Sequence, residues 1–390
     1  MPFMVNHNNL LAKLDELKRA DLYRSRRVID SAQGVYLQVD GRQLLNFCSN
    51  DYLGLANHPE VITSFKQAAD QYGVGSGSAH LVCGHGREHH ALEEELADFT
   101  GRERALLFST GYMANVGVIT ALLGKSDVVY QDKLNHASLL DGGLMSGARF
   151  KRYLHKDVHN LQQKMQGQSA EQTAMIVTDG VFSMDGDYAP LESLSVLAGQ
   201  QSTYLMVDDA HGFGVLGATG AGLVEQYQLN QQQVPVLVGT LGKAFGTSGA
   251  FVAGSEILIE TIIQKARSYI YTGAMPPAIA AATRSSLHHV RHDHWRRDKL
   301  KALVQRFQAG ARQIGLALMP SESAIQPIVL GDSQKAVQAS DYLFQQGFWA
   351  SAIRPPTVPQ GSARLRITFS ALHNEQHVDQ LLTALESMPT

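Results

Sequence analysis

Cysteine is nearly absent: of 390 residues, only Cys48 and Cys83 carry a thiol. Two are too few for a disulfide framework or a zinc ribbon, and a reducing, cytoplasmic compartment is expected. An excess of either charge is missing too, with 33 Lys and Arg against 36 Asp and Glu and a net charge of −3. That balance gives no electrostatic footprint for nucleic acid or an anionic membrane. No apolar run reaches the roughly 20 residues of a membrane-spanning helix. The N-terminal stretch has no apolar signal core, and Asp15, Glu16 and Asp21 are unlike a transit peptide, so no leader is expected. Leu10, Leu11, Leu14 and Leu17 recur there at helical spacing instead. Small molecules and other protein chains are the partners that remain.

What is present is a hydrophobic content of 44%, with length for more than one domain. Near-continuous apolar runs occur at Ala105–Ser109, Asp127–Tyr130, Ala174–Thr178, Tyr204–Val207, Val234–Val238 and Ala250–Ala253. Runs without alternation are the pattern of strands buried on both faces of a mostly parallel sheet. Helical patterns at His89–Phe99 and Tyr112–Leu122 lie between them, which predicts a doubly wound α/β domain. After about Arg284 the texture changes. Leu287–Gln313 reads as one polar helix or two, and shorter strands follow at Ala324–Val329 and Ala363–Phe369. The expected division is an N-terminal segment over 1–48 that joins a small α+β domain over 285–390, around a large domain over 49–284.

In open parallel sheets, ligands bind beyond the carboxyl ends of the strands. The residues found there are Ser109-Thr110-Gly111-Tyr112, Asp132 to His136, Thr178-Asp179-Gly180, Asp208-Asp209-Ala210-His211-Gly212 and Thr240-Leu241-Gly242-Lys243. Lys243 does not belong to a phosphate-binding P-loop. Leu237 stands where that motif needs its first glycine, and Ala244 where it needs a hydroxyl. A lysine secluded between Gly242 and Gly246 is easily neutralised and becomes nucleophilic. A Schiff base with an aldehyde cofactor such as pyridoxal 5′-phosphate (PLP) fits. Such a cofactor needs a carboxylate beside its ring nitrogen, and either Asp208 or Asp209 could supply it. His211 could donate to the ring oxygen. Ser109-Thr110-Gly111 opens a helix after a strand, an anion site that would suit the phosphate, with the Thr240 hydroxyl added.

The runs Thr178–Asp187 (TDGVFSMDGD), Val207–Gly212 (VDDAHG) and Thr240–Gly246 (TLGKAFG) carry a resemblance. With Asn46–Leu55 (NFCSNDYLGL) and Arg364-Leu365-Arg366 they extend it over nearly the whole chain. The chain resembles the α-oxoamine synthases, homodimeric PLP enzymes of the aspartate aminotransferase fold. These condense an amino acid with an acyl thioester and release CO2. The resemblance implies a PLP-dependent transferase fold, with a doubly wound large domain and a smaller α+β domain. Ala352–Pro359 (AIRPPTVP) and Tyr269–Pro277 are most similar to members that join L-alanine to a pimeloyl thioester, on coenzyme A or acyl carrier protein. Members that use glycine and acetyl-CoA are the nearest alternative, and a non-catalytic partner subunit is another.

The resemblance also implies roles. Lys243 would hold the cofactor and later move the substrate's α-proton. Asp208, rather than Asp209, would pair with the ring nitrogen. His136 would stack on the ring, and Ser183 and His211 would contact its oxygen. The Gly111 and Tyr112 amides and Thr240 would hold the phosphate. Arg354 would bind the amino-acid carboxylate, and Asn50 would lie near the reacting centre. Arg24 and Thr357 would contact substrate. Tyr271 and Thr272 would reach into the partner's site. Ser78, Ala79, Asp179 and Gly273 depart from the family's usual residues.

Two histidine groups remain, His85 with His89 and His90, and His288 with His289, His292 and His294. No cysteine or carboxylate pattern completes a metal site around either, so no metal is expected. Helix caps and solvated faces are the expected use.

Overall fold

The computed structural model describes residues 7–169 and 171–388. They divide into two units, one built on Asn50–Leu300 and the other on the two chain ends, through Ser49 and from Lys301. The apolar runs of the larger unit form its central sheet. Its seven strands are β1 (Arg104–Phe108), β2 (Val128–Asp132), β3 (Arg149–Tyr153), β4 (Ala174–Asp179), β5 (Tyr204–Asp208), β6 (Val236–Thr240) and β7 (Ala250–Gly254). Their order across the sheet is β1-β7-β6-β5-β4-β2-β3. Pairing is parallel from β6 through to β3, and β7 runs antiparallel between β6 and β1.

Every residue of β2, β4 and β7 is buried, as continuous apolar runs covered on both faces should be. β3 is the strand that sequence patterning does not reveal. It reads Arg149-Phe150-Lys151-Arg152-Tyr153, with only Tyr153 fully buried. As an edge strand it can keep its charges in water.

Helices cover the sheet. The helix Gly111–Leu122 is apolar almost throughout and packs into the core with Leu106, Phe108, Val236 and Val252. The polar stretch after 284 resolves into two helices, Pro277–His292 and His294–Gln313. The boundary expected at 284/285 falls inside the first of them. Ala278 and Ala281 pack there with Ala68, and Arg284 pairs with Glu88 at 2.7 Å and Glu95 at 2.7 Å. These contacts hold that helix in the larger unit, and the division falls near residue 300.

The smaller unit contains two three-stranded sheets. The hairpin of Tyr36–Val39 and Arg42–Asn46 is joined in parallel by Phe348–Trp349. Ala363–Thr368 lies between Ile325–Gly331 and Ser351–Ile353. Phe47 fastens the N-terminal segment to the C-terminal part. Its ring stacks on His373 at 4.4 Å and meets Phe369 edge-on at 5.6 Å. The helix Asn8–Arg19 forms where the leucine spacing predicts it, with no buried residue. Among the described residues, no helix is long and apolar enough to cross a membrane.

Gly239, in β6, sets how closely the aromatic core approaches the strand that leads to Lys243. A Cβ at this position would lie 2.5 Å from Phe251 and 2.6 Å from Phe213. Both rings are buried, so neither can swing away. Gly239→Ala is expected to lower stability by about 1–3 kcal/mol, the usual cost of overpacking. A denaturant-unfolding midpoint unchanged from wild type would contradict this.

Candidate active site

Two adjacent carboxylates close β5. Successive strand residues point to opposite faces, so Asp208 and Asp209 must diverge. Asp208 accepts Ala210 N–H on Oδ1 at 3.0 Å and Asn115 Nδ2 on Oδ2 at 2.6 Å. Asp209 is fully buried and takes Leu223 N–H at 2.5 Å. Burial pushes its carboxyl up to about 8, against the lowering effect of the Leu223 N–H. Three glycines make room for it. A Cβ on Gly180, Gly212 or Gly222 would approach an Asp209 carboxylate oxygen to 2.6, 2.0 and 2.1 Å respectively. Asp209 is thus a structural anchor for the loop that follows β5. Asp208 is the carboxylate aimed at Asn115.

Lys243 follows β6, the strand beside β5. A tight turn presents it, with Gly246 N–H donating to Lys243 O at 2.8 Å and Thr247 N–H to Leu241 O at 2.9 Å. Gly246 has φ +67°, and a Cβ there would meet Ala56 N at 2.3 Å. Only glycine allows the turn to sit this close to the Asn50–Ala56 segment. Lys243 Nζ lies 2.7 Å from His211 Nε2, and His211 Nδ1 lies 2.7 Å from the Tyr52 hydroxyl. That hydroxyl donates to Asn50 Oδ1 at 3.1 Å. The donors and acceptors agree in one direction. Lysine donates to Nε2, Nδ1–H donates to tyrosine, and tyrosine donates to the amide oxygen. Tyr52 is 1% and His211 6% exposed, so the middle of this chain is held away from bulk water, with Lys243 and Asn50 half-buried at its ends.

His136 caps the helix Ala137–Met145 and accepts Ser138 N–H on its ring. Its own backbone N–H donates to Asp179 Oδ2 at 2.6 Å. Asp179 is the register partner of Asp208 across β4 and β5. Burial, and then the charge of Asp208 beside it, holds the Asp179 carboxyl well above the usual carboxylate range. The helix Gly111–Leu122 starts at Thr110, whose hydroxyl accepts Met113 N–H at 3.2 Å. A Cβ on Gly111 would meet nothing within 4 Å, so the first turn is open to an incoming anion. The Thr240 hydroxyl donates to Gly249 O at 3.1 Å and accepts Gly242 N–H at 3.4 Å.

Ser183 lies half-buried in the turn after β4. An ion cluster fixes that turn. His155 bonds Asp132 at 2.9 Å and Asp187 at 3.0 Å, and Lys156 Nζ reaches Asp187 at 2.8 Å. Thr272 is half-buried, and Tyr271 is exposed with Arg267 over its ring at 4.8 Å. The larger unit therefore brings Asn50, Gly111, Tyr112, His136, Ser183, Asp208, His211, Thr240 and Lys243 onto strand ends, helix starts and turns of one sheet. In the smaller unit, Arg354 follows the strand Ser351–Ile353 and donates to Asp21 O. Thr357 N–H donates to Arg354 O at 3.1 Å. Arg24 is exposed beyond the first helix.

The residues suit PLP. A lysine amine and a carboxylate end neighbouring strands, a helix N-terminus with an unobstructed glycine is available for phosphate, and His136 is exposed. Sequence reasoning gave no task to Tyr52, Asn115 or Ser138. Asn115 could have been found, because it is a polar side chain in the middle of the otherwise apolar Gly111–Leu122 helix.

The histidine groups are put to other uses. His89 accepts Gly86 N–H at 3.0 Å and donates to Met275 O at 2.7 Å. His292 bonds the backbone oxygen of His288. A carboxylate does join the first group, contrary to expectation. Ligand atoms of His85, His90 and Glu93 lie within 4.8 Å of one another. The helix Arg87–Thr100 places Glu93 one turn after His90, as their spacing allows, and the approach of His85 from the preceding loop is the part that spacing alone does not show.

Fold and site together define a PLP-dependent transferase, and the chain matches the family of aminotransferase class I and II over residues 42–385. Its relatives include the 8-amino-7-oxononanoate synthase of Saccharophagus degradans, 60% identical over 97% of this chain and 96% of that one. That of Thioalkalivibrio sulfidiphilus is 58% identical over 97% and 96%. The chain belongs to the 8-amino-7-oxononanoate synthase family. Among solved structures, a serine palmitoyltransferase from S. paucimobilis with PLP and myriocin bound superposes with a TM-score of 0.93 at 29% identity, covering 98% of this chain and 97% of that one. The 8-amino-7-oxononanoate synthase of Francisella tularensis gives a TM-score of 0.78 at 32% identity, over 88% and 97%.

The His155 cluster sets a pH limit on the fold. Burial lowers the basicity of the ring, but hydrogen bonds to Asp132 and Asp187 outweigh this and raise its pKa to about 9. The folded state therefore favours the imidazolium. Its contribution is complete below the ordinary histidine pKa of about 6.5 and is lost as pH rises to about 9. Thermal-unfolding midpoints should fall across that window, and His155→Gln should flatten the decline, which is on the order of 1–2 kcal/mol after solvent screening.

Proposed function

We propose that the chain condenses L-alanine with a pimeloyl thioester, carried on coenzyme A or acyl carrier protein. The products are 8-amino-7-oxononanoate, CO2 and the free thiol, in the cytoplasmic synthesis of biotin. The observation that carries the reading is Lys243, paired with His211 at the end of β6 beside Asp208, in a chain 60% identical to a synthase of that name.

When bound, PLP supplies an electron sink for the charge left on the alanine Cα. The protein's own residues do the rest. Lys243 would hold the cofactor covalently, and as a free amine it would take the α-proton of alanine. The His211–Tyr52–Asn50 chain holds that amine in place. Asp208 would hold the ring nitrogen, His136 would cover the ring, and Ser183 and His211 would hold its oxygen. The Gly111 and Tyr112 amides and the Thr240 hydroxyl would hold the phosphate. Arg354 presents a planar fork of donors to the alanine carboxylate. Arg24 and Thr357 contact substrate, and Asn50 lies beside the reacting carbon. The working form is a homodimer with its site at the interface, where Tyr271 and Thr272 serve the partner. The carbon–carbon bond forms at the thioester carbonyl as the thiol leaves. Loss of CO2 and reprotonation then complete the product.

Purified protein should be incubated with alanine, glycine or serine against pimeloyl and acetyl thioesters, with products read by mass spectrometry. The alanine–pimeloyl product is expected, and a dominant glycine–acetyl product would overturn the reading. Lys243→Ala should fold normally and lose turnover by roughly a thousandfold or more. Near-normal turnover in that variant would overturn the assignment of Lys243.

A further inference from the structure

The roles above leave unused a buried polar side chain that touches Asp208. Asn115 is 1% exposed, in a helix whose other buried residues are apolar or glycine. Its Nδ2 donates to Asp208 Oδ2 at 2.6 Å and to Ser138 Oγ at 2.9 Å. Ser138 Oγ, once it accepts from the amide, turns its own proton toward His136 Nδ1 at 2.7 Å. Ser138 N–H reaches the same nitrogen at 3.3 Å. Nδ1 therefore only accepts, and the ring proton of neutral His136 sits on Nε2. The amide cannot be turned over, because its oxygen would then face the Asp208 carboxylate. In the orientation it takes, Oδ1 finds no hydrogen-bond partner among the described residues. A buried unsatisfied oxygen costs about 1–3 kcal/mol. A leucine here would avoid that cost, so stability alone does not explain the amide.

We propose that Asn115 is a positioning residue for the cofactor: one amide aims Asp208 and, through Ser138, fixes His136 with its proton on Nε2. This rests on the roles proposed above for Asp208 and His136. Asp208 already accepts Ala210 N–H on Oδ1. With Asn115 on the other oxygen, the carboxylate can rotate little, and its remaining lone pairs are directed at one place. Ser138 transmits the constraint from below the cofactor ring to the histidine that covers it.

The test uses the holoenzyme with Asn115→Ala, Asn115→Asp and Ser138→Ala. Two properties are measured besides turnover, the PLP dissociation constant and the pH midpoint of the cofactor's absorbance band. Loss of one hydrogen bond to a charged group should weaken PLP binding about tenfold in Asn115→Ala and shift the midpoint. In Asn115→Asp, a second carboxylate faces Asp208, so PLP affinity should fall further as pH rises, a trend absent from Asn115→Ala. A residue with a purely structural role would produce no such trend. Ser138→Ala removes the hydroxyl that joins Asn115 to His136 but leaves Asn115 on Asp208, and should shift the midpoint with PLP affinity within about twofold of wild type. It keeps the test decisive if Asn115→Ala does not fold. Wild-type affinity and midpoint in the folded variants would overturn the inference alone. Wild-type protein that takes up PLP without using Lys243, or takes up none, would instead overturn the reading of the site, and the inference with it.

Discussion

The site depends on the opposite facing of two neighbouring carboxylates at the end of β5. A strand cannot direct consecutive side chains to one face. One aspartate must therefore serve the site while the next is taken inside. Asp208 meets Asn115 and the end of the sheet. Asp209 is enclosed by backbone and, through the Leu223 N–H, holds the far end of the loop that follows β5. That loop carries His211 to Lys243 on one side and to Tyr52 on the other. Turning β5 by one residue would exchange the two carboxylates and separate all of these contacts.

The sheet was legible because burial on both faces writes itself into the sequence as unbroken apolar runs. Six of the seven strands of the larger unit announce themselves in this way. β3 does not, since an edge strand is solvated and Arg149, Lys151 and Arg152 carry no apolar signal. The places of Lys243 and Asp208 at strand ends and of Gly111 at a helix start were legible from the runs that precede them, and it is beyond such ends that parallel sheets bind ligands. The choice between Asp208 and Asp209 was not, because composition and order treat them alike; only the pleat separates them. Tyr52, Ser138 and Asn115 stayed hidden for a different reason. Each acts by touching a residue distant in the sequence, and such contacts exist only after folding. The boundary near 300 was also illegible. The polar helix Pro277–His292 looks like the start of something new, yet its alanine face and Arg284 tie it to earlier helices.

The arrangement divides labour between rigid and polar parts. β5 and β6 fix where Asp208 and Lys243 emerge. Short polar chains then fix how they point, Lys243 through His211, Tyr52 and Asn50, and Asp208 through Asn115 and Ser138. A covalent cofactor chemistry needs both, since strand ends set position to within a side chain's reach and hydrogen bonds set direction. In the smaller unit, Arg354 is held by the backbone of Asp21, so the N-terminal segment orients a C-terminal residue. The stack of Phe47 on His373 serves the same union of chain ends.

The glycines around Asp209 carry an evolutionary implication. Gly180, Gly212 and Gly222 lie in separate turns, yet the same carboxylate excludes a side chain at each. At 180 and 212 that one occupant sets the identity, whereas Gly222 is also held to glycine by its own φ of +93°. Mutational effects at 180 and 212 should be epistatic with position 209, where a smaller residue would open space at both.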